Sequence, residues 1–203
     1  MLFFAKTKSK PLDNWFSSDD QFHQLYPEFI QQLADKHWTP LKIVKKAAQF
    51  LAEEEGVKIL DIGSGVGKFC LSAARYHPGA LFYGIEQRKN LVDYADAAKK
   101  ILGLLNVSFI HGNFTQLNLK QYNHFYFYNP FFENLDGTEK IDGSLLYSES
   151  LYNYYNQYMY VQLEEMPLGT RVVTCCSWDE EIPPGYQLVA THFEKLLKFW
   201  VKR

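Results

Sequence analysis

The chain is poor in cysteine, in net charge and in long apolar runs. Among its 203 residues only Cys70, Cys175 and Cys176 are cysteines. An odd number, with neither CxxC nor metal-ligand spacing, argues against a disulfide framework or a metal site and points to a reducing, intracellular setting. Lys and Arg number 21 against 23 Asp and Glu, a net charge of −2, which leaves no electrostatic footprint for nucleic acid. No apolar run approaches the ~18 residues of a membrane span. The opening "MLFFAKTKSK" holds too short an apolar patch for a signal sequence, and no small-residue cleavage site follows it. The expected location is the cytoplasm, with no membrane partner. No internal repeat or low-complexity linker interrupts the chain.

What is present is an ordinary soluble composition, 47% hydrophobic and 22% charged, with an excess of aromatics at 17%. Fourteen tyrosines and sixteen phenylalanines imply a bulky core and an aromatic-lined site. Residues 1–37, whose first 25 or so are polar and mixed, read as a loosely structured lead-in or lid, and residues 38–203 as one domain. "WTPLKIVKKAAQFLAEEEG" predicts a helix capped by Thr39, with Pro40 at its first position, Val44, Ala47, Ala48 and Leu51 on one face, and Gly56 as its stop. Strand-like runs at 57–62, 80–86, 106–112, 124–129 and 170–176 then alternate with helices at 66–76, 89–103 and 144–166. That alternation predicts a three-layer α/β/α sandwich around a parallel sheet. "YQLVATHF" and "KLLKFWVK", separated by only one or two residues, break the rhythm and predict a terminal antiparallel hairpin, for seven strands in all.

The chemistry is concentrated in "KILDIGSGVGKF" (58–69). Gly63, Gly65 and Gly67 are spaced G-x-G-x-G after a strand. The dinucleotide fingerprint needs G-x-G-x-x-G, and a P-loop needs four residues between its glycines and then Gly-Lys-Ser/Thr. Asp61, two residues before the first glycine, suits a positively charged ligand better than a pyrophosphate. Glu86, about 20 residues past the turn at the end of the second strand, can accept from both hydroxyls of a ribose. As an isolated residue it would read equally as a surface carboxylate at the start of the next helix.

"ILDIGSGVGKF" together with "FYGIE" resembles motifs of the class I, seven-stranded S-adenosylmethionine-dependent methyltransferases. The resemblance covers roughly residues 38–203 and includes the terminal hairpin. It implies S-adenosylmethionine as cofactor, with Asp61, Gly63, Ser64, Gly65 and Gly67 at its methionine end and Glu86 on its ribose. In "HGNF" (111–114), where many relatives have Gly-Asp, Asn113 takes the position of the acid that accepts from adenine and Phe114 lies against the ring. Asn113 reads equally as the cap of the following turn.

"YNPFFEN" (128–134) resembles the Asn/Asp-Pro-Pro-Tyr/Phe motif of enzymes that methylate planar amides or exocyclic amines, with Phe131 in place of the second proline. By position, the resemblance makes Asn129 and Pro130 the acceptors that orient a target nitrogen and Phe132 the aromatic wall. A second, looser similarity, through "DIGSGVGKF" and "WTPLKIVKKAA", is to seven-stranded protein-lysine methyltransferases. The sequence expectation is therefore an N-methyltransferase acting on a protein side-chain nitrogen, lysine or amide. The alternatives are a nucleic-acid exocyclic amine, a small molecule, or a binding module without catalysis. His111, His124 and His192 read as packing or surface residues. His23 and His37 lie in the lead-in, where Trp38 and Thr39 would help to close the cofactor site. The six tyrosines of "LYSESLYNYYNQYMY" (146–160) read as the aromatic face of a covering helix, with Leu151, Tyr154, Tyr155, Tyr158 and Val161 inward. No basic stripe accompanies them.

Overall fold

A computed structural model describes residues 11–203; the opening "MLFFAKTKSK" lies outside the described residues. Seven strands form one sheet: β1 (Lys58–Ile62), β2 (Leu81–Glu86), β3 (Val107–His111), β4 (His124–Tyr128), β5 (Arg171–Cys175), β6 (Tyr186–His192) and β7 (Leu197–Lys202). Their order is β3-β2-β1-β4-β5-β7-β6. The first five run parallel, and β7 enters antiparallel between β5 and β6. The expected architecture is therefore the one observed. Strand order reverses between β1 and β4, and ligands of open α/β sheets sit at the carboxyl ends of strands at such a switch point.

Four short helices, Leu12–Trp15, Asp19–His23, Glu28–Gln31 and Ala34–His37, are α1 to α4. They precede α5 (Leu41–Leu51), α6 (Lys68–Tyr76) and α7 (Lys89–Leu102). All seven contribute to one core, against Ile59, Phe82, Tyr126, Val173 and Phe199 of the sheet. The other face carries Leu60, Ile62, Ile85, Phe125, Phe127 and Trp200, covered by α8 (Glu149–Glu164) and by two turns of 3₁₀-helix after β3. Period-2 alternation along β1 puts Asp61 on the same face as Ile59, under α6. None of the described helices is long and apolar enough to cross a membrane.

Four details differ from the sequence expectations. Residues 11–38 are not loose: Trp15, Phe16, Phe22, Leu25, Tyr26, Ile30 and Trp38 are buried in the main core, and the Tyr26 hydroxyl donates to the Val66 carbonyl at 2.9 Å. Thr39 does not cap α5. Its hydroxyl meets the Tyr126 hydroxyl at 2.9 Å, while Asp19 of α2 accepts from the Leu41 N–H at 2.9 Å. The capping acceptor thus comes from a distant residue rather than a neighbouring one. The covering helix begins only after Ser148, whose side chain accepts from Leu151 N, and buries Tyr155, Met159 and Leu163; Tyr154 and Val161 face outward. Finally, the terminal hairpin turns through residues 193–196, with Phe193, Glu194 and Lys195 all in the left-handed region.

Candidate active site

The glycine turn is built to bring backbone close to a ligand. Gly65 has φ +53, and a Cβ placed on it would meet nothing within 4 Å. The space above it is open cavity. Gly67, at φ +82, is needed for the opposite reason: a Cβ there would run into the Phe109 ring and Ala95. The left-handed backbone at both positions suits glycine. The Gly63 and Ser64 N–H groups both donate to the Ile85 carbonyl at 3.0 Å, which ties the turn to the end of β2. Ser64's hydroxyl faces Gly84 and is buried without a partner among the described residues.

Above the turn lies a cavity of about 690 Å³, within the range of small-molecule and cofactor sites. Its walls include Gly63, Gly65 and Glu86 on one side and Phe114, Asn129, Pro130, Phe131 and Phe132 on another. Leu33, Lys36, His37 and Trp38 line it from the N-terminal segment; of the two residues expected to close the site, Trp38 lies at this cavity and Thr39 only at its smaller neighbour. A much smaller cavity adjoins it, sharing His37, Trp38, Gly63, Val66 and Tyr128 and adding Asp61, Ser64 and Lys68.

Asp61 and Glu86 are both buried acids in different states. Among the described residues the Asp61 side chain accepts one hydrogen bond, from the Cys70 thiol at 3.7 Å. Burial pushes its pKa up to about 8, with nearby Glu86 adding to the shift. At neutral pH the carboxyl therefore holds its proton until a cation arrives to displace it. Glu86 accepts from Gly65 N at 3.1 Å and from Arg88 N at 2.9 Å. Burial raises its pKa, and the Arg88 contacts oppose the rise. A turn whose open side a Cβ would fill, beside an acid with no cationic partner among the described residues and a second acid at a strand end, fits a cationic nucleoside.

Asn113 does not reach into the cavity with its carbonyl. That oxygen accepts from Thr115 N at 3.1 Å and from the Thr115 hydroxyl at 3.0 Å, and the amide nitrogen donates to Gln87 and Tyr155. The residue caps a 3₁₀ turn, which corrects its expected role at adenine. Phe114 does line the cavity, stacked on Phe131 at 5.1 Å and 24°. Asn129 sits at φ +40 at the end of β4, a conformation in which Asn is enriched and which accumulates at functional sites. Its side-chain amide is uncommitted among the described residues. Phe132 is 43% exposed at the mouth.

Arg88 is the residue that sequence reasoning missed. It is buried, and its guanidinium pairs with Glu86 at 3.4 Å, Glu133 at 2.5 Å and Asp142 at 3.3 Å, and donates to the Tyr147 hydroxyl at 2.7 Å. These contacts fasten the 129–148 segment over the cavity; an ion pair between Lys36 and Glu139 fastens it a second time. A signal existed: a basic residue at the start of a helix, where acids are favoured. Lys68 was also missed. Its ammonium meets Asp19 at 2.5 Å and His23 at 2.9 Å, between the rings of Phe22 and Trp38. Among the described residues no group of His, Cys, Asp and Glu has the makings of a metal site.

Residues 53–131 match a family model described as a methyltransferase domain. A tRNA (guanine-N(7)-)-methyltransferase of Synechococcus is 36% identical over 89 residues, which cover 44% of this chain and 34% of that protein. A release factor glutamine methyltransferase of Buchnera aphidicola is 36% identical over 69 residues, 34% of this chain and 25% of that protein. The matched stretch thus spans about a third or less of these relatives' own length. An RNA methyltransferase of Salinibacter ruber, solved with S-adenosyl-L-homocysteine, has the same fold, with a TM-score of 0.57 and 23% identity over 81% of this chain and 91% of that one. The sheet order agrees with that fold, and the stretch that matches the methyltransferase-domain model holds the glycine turn, Asp61 and Glu86. The fold is that of the class I, Rossmann-like S-adenosylmethionine-dependent methyltransferases.

Proposed function

We propose that this chain binds S-adenosylmethionine and methylates a nitrogen of an RNA base, with tRNA as the first substrate to test. The observation that carries the cofactor reading is the open cradle over Gly65, flanked by Asp61 and Glu86. Asp61 and the 63–67 backbone would hold the methionine end, and Glu86 would accept from the ribose. The stacked Phe114 and Phe131 offer an apolar surface to adenine. When bound, S-adenosylmethionine supplies a methyl group on a cationic sulfur, open to in-line attack by a nitrogen lone pair. The protein's share is orientation and electrostatics, with no covalent intermediate.

The acceptor side rests on Asn129, Pro130 and Phe132 at the cavity wall. The Asn129 amide can both donate to and accept from the edge of a planar base, and Phe132 presents a ring on which a base can stack. The tRNA-modifying relatives favour this reading over a protein substrate, although the net charge of −2 lends it no support. The second reading is a protein side-chain amide, favoured by the release factor relative and by the Asn129-Pro130 pair.

The test is incubation of the full chain with methyl-labelled S-adenosylmethionine and, separately, unmodified tRNA and a protein extract. Nuclease-sensitive label in tRNA is expected, with Asn129→Ala lowering transfer about a hundredfold through misplacement of the target while S-adenosylhomocysteine still binds. Label confined to a protease-sensitive fraction would replace the first reading by the second.

A further inference from the structure

β5 ends in two adjacent cysteines in contrasting environments. Cys175 is buried and pairs with Tyr128 of β4 and Leu197 of β7. Cys176 is exposed, has φ +59, and donates its N–H to the Leu196 carbonyl at 2.8 Å. Successive side chains of a regular strand point to opposite faces. The left-handed backbone at Cys176 undoes that alternation and brings the two sulfurs to 3.8 Å. Cys176 also shares the wall of the large cavity with Tyr128 and Asn129.

We propose that Cys175 and Cys176 are a redox-active vicinal dithiol that a low-molecular-weight disulfide oxidises to a reversible disulfide at the cavity wall. The roles follow from exposure. Cys176 is the thiol that an outside reagent reaches, and Cys175 is the buried resolving thiol. The hydrogen bond with the Cys175 thiol lowers the Cys176 thiol pKa, and Lys198 adds to this; with its exposure, this makes the Cys176 sulfur the nucleophile. Its thiolate attacks one sulfur of the reagent, forms a mixed disulfide and releases one thiolate. Cys175 then gives up its proton and attacks the Cys176 sulfur. The intramolecular S–S bond forms, the mixed bond breaks, and the second thiolate leaves. Two cysteine thiols are oxidised and one disulfide is reduced to two thiols.

Neighbouring Cα atoms lie ~3.8 Å apart across a trans peptide, short of the roughly 4.4–6.8 Å usual between bridged cysteines. The closed ring is therefore under strain and easily reopened, as a reversible site requires. Because Cys175 is held in the ladder, closure moves Cys176 and reshapes the wall beside Asn129.

The reduced full chain is incubated with oxidised glutathione, quenched with an alkylating reagent and read by intact mass and peptide mapping. The expected product has lost two hydrogens, shows residues 175 and 176 protected together with Cys70 still alkylated after denaturation, and reverts with reduced glutathione. Cys175→Ser should accumulate a glutathione adduct on Cys176, and Cys176→Ser should react about tenfold more slowly than the native chain. A native chain that keeps a stable adduct on Cys176, or in which both thiols stay open to alkylation, would overturn the proposal.

Discussion

The two walls of the large cavity are made in different ways. The wall of Gly63, Gly65 and Glu86 comes from one strand-turn-helix-strand run, where each residue is placed by its sequence neighbours. The opposite wall joins residues 33–38 to residues 129–147, and its fastenings are ion pairs between distant segments: Arg88 with Glu133 and Asp142, and Lys36 with Glu139. The first wall needs particular backbone angles, which glycine encodes locally. The second needs particular partners, which no spacing in the chain announces.

The contrast can be broken most forcefully at Phe22. This ring is fully buried, packs near Phe16 and Tyr26, and lies under the Lys68 ammonium. Phe22→Ala should cost ~3–5 kcal/mol, read by urea unfolding. A loss within the range of surface changes would mean that the N-terminal helices are not part of the folded unit.

The turn itself supplies a finer comparison. Gly67→Ala should destabilise by roughly 2–5 kcal/mol, the sum of a left-handed backbone and a clash with Phe109. Gly65→Ala should cost only about 1–2 kcal/mol, since its side chain meets open space, yet it should abolish S-adenosylhomocysteine binding by calorimetry. Equal losses of stability at both positions, with binding retained in Gly65→Ala, would remove the cradle from the site.

The last comparison is one of pH dependence, made with Asp61→Asn. The folded carboxyl has its pKa raised from 3.8 to about 8, so the native state holds a proton that the unfolded chain sheds. Its contribution to stability is complete below about pH 3.8 and is lost as the pH rises through about 8. The neutral amide avoids that loss. Melting curves should therefore coincide in acid and separate, in favour of Asp61→Asn, toward pH 8. A separation of the opposite sign would place a cation beside Asp61 in the free protein.

Much of the fold was legible in advance. Val44, Ala47, Ala48 and Leu51 are buried as their spacing predicted, because a helix face is a local pattern. The covering helix was less so. Tyrosine is amphipathic, and six of them in one segment leave the buried stripe undetermined until Tyr155, Met159 and Leu163 meet the sheet. Asn113 shows the same limit within the site. The sequence allowed either a cap or a ligand contact, and the position of Thr115 selects the cap.

What the sequence determined by itself is the strand-turn-helix unit with Asp61, its three glycines and Glu86, because backbone angles and strand periodicity are set by residues within a few positions of one another. Only the tertiary structure decided that Arg88 and Lys68 are buried, that residues 33–38 form part of a wall of the cavity, and that Cys175 and Cys176 face each other. Each of these depends on contacts with distant parts of the chain or on a single left-handed residue, and neither leaves a periodic mark in the sequence.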